Sequence, residues 1–294
     1  MTLIDSDEAK SLYSKFDTIT ECSGGSVANT IAGLASLGSP GAFIGKVHND
    51  HLGEVFSNDI KSLGVSFDST PTMDGASTAT SMILVTKDAE RTMMTFLGAC
   101  VDLKEEDVDE NLIKTSKITY LEGYLWDRPS AKKAFLKACK VAHQVDKKIS
   151  LSLSDSFCVD RHRDEFRELI EKHVDILFAN EEEILSLYET SNLNTAIDQV
   201  RGQCETAAIT RGGEGSIVIN GDEEFQIDAE PAVKLIDTTG AGDAYAAGFL
   251  YGIVSGQDLI ASGRIGSICA AEVVSHMGAR PHISLKELIG KKFS

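Results

Sequence analysis

The stretch Val174-Asp-Ile-Leu-Phe-Ala-Asn-Glu-Glu-Glu183 decides the fold class. An amphipathic strand would alternate apolar with polar residues. The unbroken run Ile176-Leu-Phe-Ala179 instead suits a strand covered on both faces, as in a parallel sheet with helices on either side. The glutamates that follow favour the first turn of a helix, where the dipole is positive. The unit therefore reads as a strand at 174–179 and a helix at 181–188. Outward from it the same alternation repeats. Strands are expected at 41–46, 81–86, 91–96, 117–122, 148–153, 206–210 and 215–220. Helices are expected at 28–37, 52–63, 130–145, 161–172, 194–201, 240–255 and 257–274. Strands separated by helices imply crossover connections and a mostly parallel central sheet, an α/β three-layer arrangement. One segment breaks the pattern. Between Ser77 and Phe96 two strand-like runs flank Lys87-Asp-Ala-Glu90 with no room for a helix, which predicts an antiparallel hairpin acting as a small β lid.

Composition narrows the classes of function. The chain has 294 residues, 42% apolar and 25% charged, close to globular averages. No linker or internal repeat divides it, so residues 1–294 are read as a single domain. No apolar run approaches the ~18 residues of a spanning helix. The acidic start, Met1-Thr-Leu-Ile-Asp-Ser-Asp-Glu8, is unlike a targeting segment, and the cytoplasm is the expected compartment. Twenty-eight basic against 45 acidic residues give a net charge of −17, which argues against nucleic acid and membrane partners. Small anions stay possible, because backbone amides can bind phosphate inside an acidic protein. The six scattered cysteines match no metal or disulfide pattern and are read as buried, reduced thiols. The acidic run 102–110 is read as a solvated helix face.

Four clusters could carry chemistry. In Asp237-Thr-Thr-Gly-Ala-Gly-Asp243, Gly240 and Gly242 allow a tight turn into a helix, so that several amide hydrogens face one point. Asp243, in the first turn, could take a proton from a hydroxyl attacking a phosphoryl group. A capped helix start without chemistry explains the local pattern equally well. Ser23-Gly-Gly-Ser-Val-Ala-Asn29 opens a second helix. Its glycines admit a ligand and its Asn29 can bond sugar hydroxyls, although a Gly-Gly turn is more often only a turn. Asn180 and Glu183 sit at a carboxyl strand edge, where oxygen ligands suit Mg²⁺ through water, or where acids merely complement the dipole. Thr210-Arg-Gly-Gly-Glu-Gly215 either lines a nucleotide phosphate or forms a hairpin turn. The Gly41 to Lys46 segment lacks the spacing of a P-loop, no dinucleotide fingerprint is present, and His48-Asn-Asp-His51 is read as a solvated loop.

Taken together these clusters resemble the PfkB (ribokinase-like) carbohydrate kinases. The segment Asp237 to Leu250 is similar to their carboxy-terminal signature, and Ser23 to Gly38 with Phe43-Ile-Gly-Lys46 to their amino-terminal one. Asn180-x-x-Glu183 and Thr210-x-Gly212-x-x-Gly215 match two further elements of the family. Within it, adenosine kinases are most alike, through Arg91-Thr-Met-Met-Thr-Phe-Leu-Gly-Ala99, Tyr120-Leu-Glu-Gly123 and Val174 to Asn180. The resemblance implies Asp243 as general base, Gly240, Ala241 and Gly242 as anion-hole amides, and Arg91 near the transferred phosphoryl. It further implies Gly25, Ser26 and Asn29 on the ribose, and Met93, Thr95 and Phe157 as walls for the base. Thr210, Gly212, Gly215 and Thr239 would bind the nucleotide, and Asn180 and Glu183 the metal. ATP and Mg²⁺ are the implied cofactors, with a K⁺ requirement left open.

The start of the chain departs from the family pattern. Only 23 residues precede Gly24, and the opening strand with the aspartate that family members carry there has no match; Asp5 and Asp7 are not given that role. Either the sequence begins late or the sheet lacks a strand, which would expose an edge and remove a substrate contact. The lid is expected from about residues 1–23 and 77–96. The expected activity is ATP-dependent phosphorylation of a nucleoside's primary hydroxyl, adenosine to AMP. The alternatives are a sugar kinase of the same fold, acting on ribose, fructose or a related sugar, and a noncatalytic nucleoside-binding protein. The partner is a small molecule in each case, and the chain is read as a monomer or homodimer.

Overall fold

The computed structural model describes residues 2–16, 19–86 and 91–293, Arg91 by its backbone alone. In chain order the elements are β1 (Thr2–Leu3), α1 (Ser6–Tyr13), α2 (Ser26–Ser36), α3 (His51–Ser62), β2 (Thr80–Val85), β3 (Arg91–Phe96), α4 (Glu110–Thr115) and β4 (Ile118–Glu122). There follow α5 (Pro129–His143), β5 (Lys148–Ser152), α6 (Ser156–His173), β6 (Ile176–Asn180), α7 (Glu181–Leu187), α8 (Leu193–Val200) and β7 (Thr206–Thr210). The chain closes with β8 (Ser216–Asn220), β9 (Glu223–Ile227), α9 (Ala241–Val254), α10 (Leu259–Val273) and α11 (Leu285–Lys292).

The main sheet has the order β4-β5-β6-β7-β8-β9, parallel from β4 to β7 and antiparallel beyond. Strand β6 shows why its sequence is apolar throughout. Leu177 and Ala179 pack into the layer formed by α5 to α8, whereas Ile176 and Phe178 pack against Tyr245, Ala246 and Phe249 of α9. Successive side chains point to opposite faces, so a strand between two helical layers has no polar side. A smaller sheet, ordered β1-β3-β2, lies beside this body with α1. Its β2–β3 pairing runs antiparallel from Thr80 opposite Phe96 to Val85 opposite Arg91. The turn expected at 87–90 lies outside the described residues.

Several expectations need correction. Segment 41–46 is not a strand: Ala42 makes an isolated bridge to Ser66, through Phe43 N to Ser66 O and Ser66 N to Gly41 O. Glycines at 41 and 45 weaken extension there. The acids of 102–110 do not line one helix. Asp107 accepts from the Lys104 amide and pairs with Lys46, and Asp109 caps α4, so local side-chain bonds replace helical ones. Helix α6 begins at Ser156, five residues before the expected start, because Asp155 caps it by accepting from Cys158 N. Strand β9 (Glu-Glu-Phe-Gln-Ile) and the short polar helices α1, α4 and α11 lack an apolar pattern and were not foreseen. Among the cysteines, Cys22 is exposed; Cys139, Cys158 and Cys269 are buried free thiols, which burial pushes up to about 12.

Candidate active site

Two helix starts meet in one cleft. Gly25 caps α2 at φ 97°, and Gly240 caps α9 at φ 78°, both left-handed conformations that glycine adopts without strain. Gly240 is constrained twice, since a Cβ there would lie 2.6 Å from both the methyl carbon and the carbonyl oxygen of Ala279. Gly242 is exposed, with open space where a side chain would go. The first amides of α9 thus lie at the cleft with the positive end of the dipole behind them. Asp237 anchors this turn from beneath. It is buried, and its carboxylate accepts from Thr239 N and from Gly278 N, each at 2.9 Å.

Helix packing brings the predicted base onto the predicted sugar residues. Gly33 of α2 faces Ala247 of α9 so closely that a Cβ at 33 would sit 2.8 Å from the alanine methyl. In register with that contact, Ser26 Oγ donates to Asp243 Oδ1 at 2.8 Å and Asn29 Nδ2 donates to Asp243 Oδ2 at 3.0 Å. Residues more than 200 apart in sequence share one carboxylate.

Glu122, at the carboxyl end of β4, is a residue that the motifs quoted but gave no role. Its Oε2 accepts from Val27 N at 3.2 Å, at the start of α2. Burial, with the nearby Asp243 charge as a smaller contribution, pushes its carboxyl up to about 7. An acid closing an apolar parallel strand was the available signal, because ligands gather at carboxyl strand edges. Glu183 is buried as well and is pushed up to about 7, chiefly by desolvation and then by the Asp155, Glu182 and Asp243 charges. Asn180 and Glu183 form a capping box: Asn180 N and Nδ2 donate to the glutamate, and Glu183 N donates to Asn180 Oδ1. The dipole-complementing arrangement is therefore present, and both side chains also line the cleft. Each Glu183 oxygen accepts one hydrogen bond from Asn180, and the pair fits a cation held through water.

The cleft, of about 3420 Å³, also takes in Thr210, Gly212 and Gly215, Thr239, and Met93 and Thr95 of β3. Segment 210–215 does form a hairpin turn, since β7 and β8 pair directly. Gly215 answers to packing: its Cβ would lie 2.0 Å from Ile227 O. Gly212, at φ 55°, and Gly213 beside it have open space where a side chain would go, and both border the cleft. Thr239 Oγ1 is buried and has no hydrogen-bond partner among the described residues. Register puts Met93 and Thr95 on the lid face shared with Ile83 and Ser81, all bordering the cleft. Phe157 lies elsewhere, half exposed beneath the Arg161 guanidinium at 4.1 Å. Arg91 pairs with Val85 through β3; its side chain is outside the described residues. The cleft extends along β4, whose residues Ile118–Glu122 pair, among the described residues, with β5 alone, and it takes in residues 40–47.

Comparison with known proteins bears on this geometry directly. The model of the pfkB family carbohydrate kinases matches residues 1–285. The chain belongs to that family. It is accordingly a kinase acting on small sugar or nucleoside substrates, with the family's ribokinase-like fold. It is similar to the crystal structure of adenosine kinase from Sinorhizobium meliloti, with 46% identity and a TM-score of 0.97, covering 100% of this chain and 90% of that one. It is equally similar to a probable sugar kinase from Rhizobium etli CFN 42, at 44% identity and a TM-score of 0.98, covering 100% and 89% of the two chains. A probable chloroplastic fructokinase-6 from Arabidopsis thaliana is 30% identical over 284 residues, 90% of this chain and 73% of the other. No helix among the described residues is long and apolar enough to cross a membrane.

Proposed function

We propose that this pfkB kinase transfers the γ-phosphoryl group of ATP to the primary hydroxyl of a nucleoside, with adenosine preferred. The observation that carries the phosphotransfer is the Asp243 carboxylate, seated at the glycine-built start of α9 and held by Ser26 and Asn29. Asp243 accepts the proton of the acceptor hydroxyl as its oxygen bonds to phosphorus and the ADP oxygen leaves. Ser26 and Asn29, which occupy the carboxylate in the free protein, donate to the incoming sugar hydroxyls and so place the nucleophile. The amides of Gly240, Ala241 and Gly242 face the charge that develops on the phosphoryl oxygens. Thr210, Gly212, Gly215 and Thr239 border the nucleotide end. Mg²⁺ would neutralise charge on the nucleotide oxygens, with Asn180 and Glu183 holding it through water.

The preference for a nucleoside rests on the lid. Ile83 and Met93 give its cleft face an apolar patch that suits the flat face of a base, and the Ser81 and Thr95 hydroxyls beside that patch bond each other. The similarity to the Sinorhizobium adenosine kinase points the same way. A free-sugar kinase is the second reading, favoured by the fructokinase relative and by the half-buried Glu122 carboxyl at the cleft as a hydroxyl acceptor. A panel of nucleosides and sugars in a coupled ADP assay separates the two: faster turnover of fructose or ribose than of adenosine rejects the nucleoside. Calorimetry that finds adenosine bound, with no ADP formed at saturating ATP and Mg²⁺, leaves a noncatalytic binder. For the base, Asp243→Asn is expected to lower kcat by about 10²–10⁴ with acceptor affinity changed far less. Unchanged turnover removes Asp243 from the role.

A further inference from the structure

We propose that Arg280 is a positioning residue that orients Asn29, and through it the Asp243 carboxylate; the proposal rests on the phosphotransfer reading above. Arg280 belongs to the 275–284 loop joining α10 to α11. This loop already supports the site, since Ala279 fills the space beside Gly240 and Gly278 N donates to Asp237. Arg280 Nε donates to Asn29 Oδ1 at 3.4 Å, and Asn29 Nδ2 donates in turn to Asp243 Oδ2 at 3.0 Å. The guanidinium is itself held by Asp59 of α3. Its Nη2 is buried and has no acceptor among the described residues, so its placement costs an unmet donor.

The chemistry of the amide makes this chain directional. A carboxamide has an acceptor end and a donor end. With a cation against Oδ1, the NH₂ group must face Asp243. A half-turn of the amide would set its donors against the guanidinium and its oxygen against a carboxylate, two repulsive contacts at once. Without Arg280 only the Asp243 contact opposes that rotation. A cation is also apt at this place because the Asp243 charge is strong enough nearby to help push the Glu122 and Glu183 carboxyls up, after burial, and Arg280 brings a positive charge to the same site. Position 280 lies 251 residues from Asn29, so no sequence pattern links them.

The test combines Arg280→Gln, Arg280→Lys and Asn29→Ala in the full chain. Arg280→Gln is expected to lower kcat about ten- to a hundred-fold, the scale of a catalytic group displaced by a fraction of an ångström to one ångström, with KM for ATP unchanged. Arg280→Lys, which keeps the charge and loses the planar fork, should recover part of that loss. On the Asn29→Ala background, Arg280→Gln should cost less than about two-fold, because partners acting as a unit are not additive. A full penalty on that background, or an effect confined to KM for ATP, overturns the proposal. If the wild-type chain phosphorylates no acceptor, the functional reading fails by itself, and Arg280 is then judged by the Asn29 side-chain amide pair in ¹⁵N NMR, assigned by its loss in Asn29→Ala. A pair that shifts and broadens in Arg280→Gln upholds the orienting contact. A pair that stays in place overturns it.

Discussion

In the proposed phosphotransfer, the hydrogen bonds that Ser26 and Asn29 give the Asp243 carboxylate pass to the acceptor sugar. Ser26 and Asn29 donate to both carboxylate oxygens, which offsets the cost of drawing the charge partly out of water. Glu122 illustrates the opposite solution, staying protonated. Its carboxyl rises from 4.5 to about 7, so the folded state keeps its proton where the unfolded chain has released it. Stability from this group is complete below about pH 4.5 and is lost as pH climbs through about 7. Melting curves of wild type and Glu122→Gln, taken from about pH 5 to pH 8, should diverge by on the order of 1–3 kcal/mol, the wild type losing more. Glu183 titrates in the same sense, and His173, lowered from 6.5, in the opposite one, but both are common to the two proteins and cancel in the difference. Parallel curves would show that Glu122 is ionised throughout. At Gly240 the expectation is harsher: Gly240→Ala meets both a left-handed φ and the Ala279 backbone, and should lower turnover and melting temperature together. An activity assay beside a thermal melt checks this.

Among the elements, the α2–α9 pair matters most, because the site exists only while these helices stay in close contact. Gly33 against Ala247, Gly248 against Ile265 and Gly266, and Gly252 against Ser262 let α2, α9 and α10 approach at backbone distance. Gly33→Val should overpack the first of these contacts at a cost of about 1–3 kcal/mol. It should also move Ser26 and Asn29 off Asp243, so kcat falls more than stability alone explains. Turnover measured well below the melting temperature decides this; normal turnover there would show that α2 tolerates displacement. The helices and strands of this layer were legible in sequence, because continuous apolar runs and small-residue spacing report burial on two sides. Strand β9 was not: two glutamates and a glutamine at an edge carry no period, and pairing with β8 alone makes it a strand. Segment 41–46 failed the other way, apolar enough for a strand but bonded at one bridge only.

For the whole molecule, the cleft joins the lid, the start of α2, the start of α9 and the β7–β8 turn, so occupied and empty states should differ measurably in stability. A ligand present at 100 times its Kd adds about 2.7 kcal/mol. In a chain of this size that is a rise of several degrees in Tm. Adenosine should produce it in a thermal-shift measurement, and fructose at the same concentration should produce less; the reverse order favours the free-sugar reading. The net charge of −17 does not prevent anion binding, since the local field at a helix start comes from fixed amides and outweighs distant, screened side chains.

Read alone, the chain of residues determined the layer order, the glycine turns that begin α2 and α9, and the family, because each depends on short-range pattern: burial period, backbone freedom at glycine, and the spacing of signature residues. Only the tertiary structure decided that Ser26 and Asn29 close on Asp243, that Asn180 and Glu183 engage each other first, that Glu122 comes half-buried onto Val27 N at the start of α2, that Phe157 lies away from the cleft, and that Arg280 reaches Asn29. These contacts join segments up to 251 residues apart. Which atoms meet across such a distance is settled by how helices and sheet pack, a property of the assembled core that no local stretch of sequence contains.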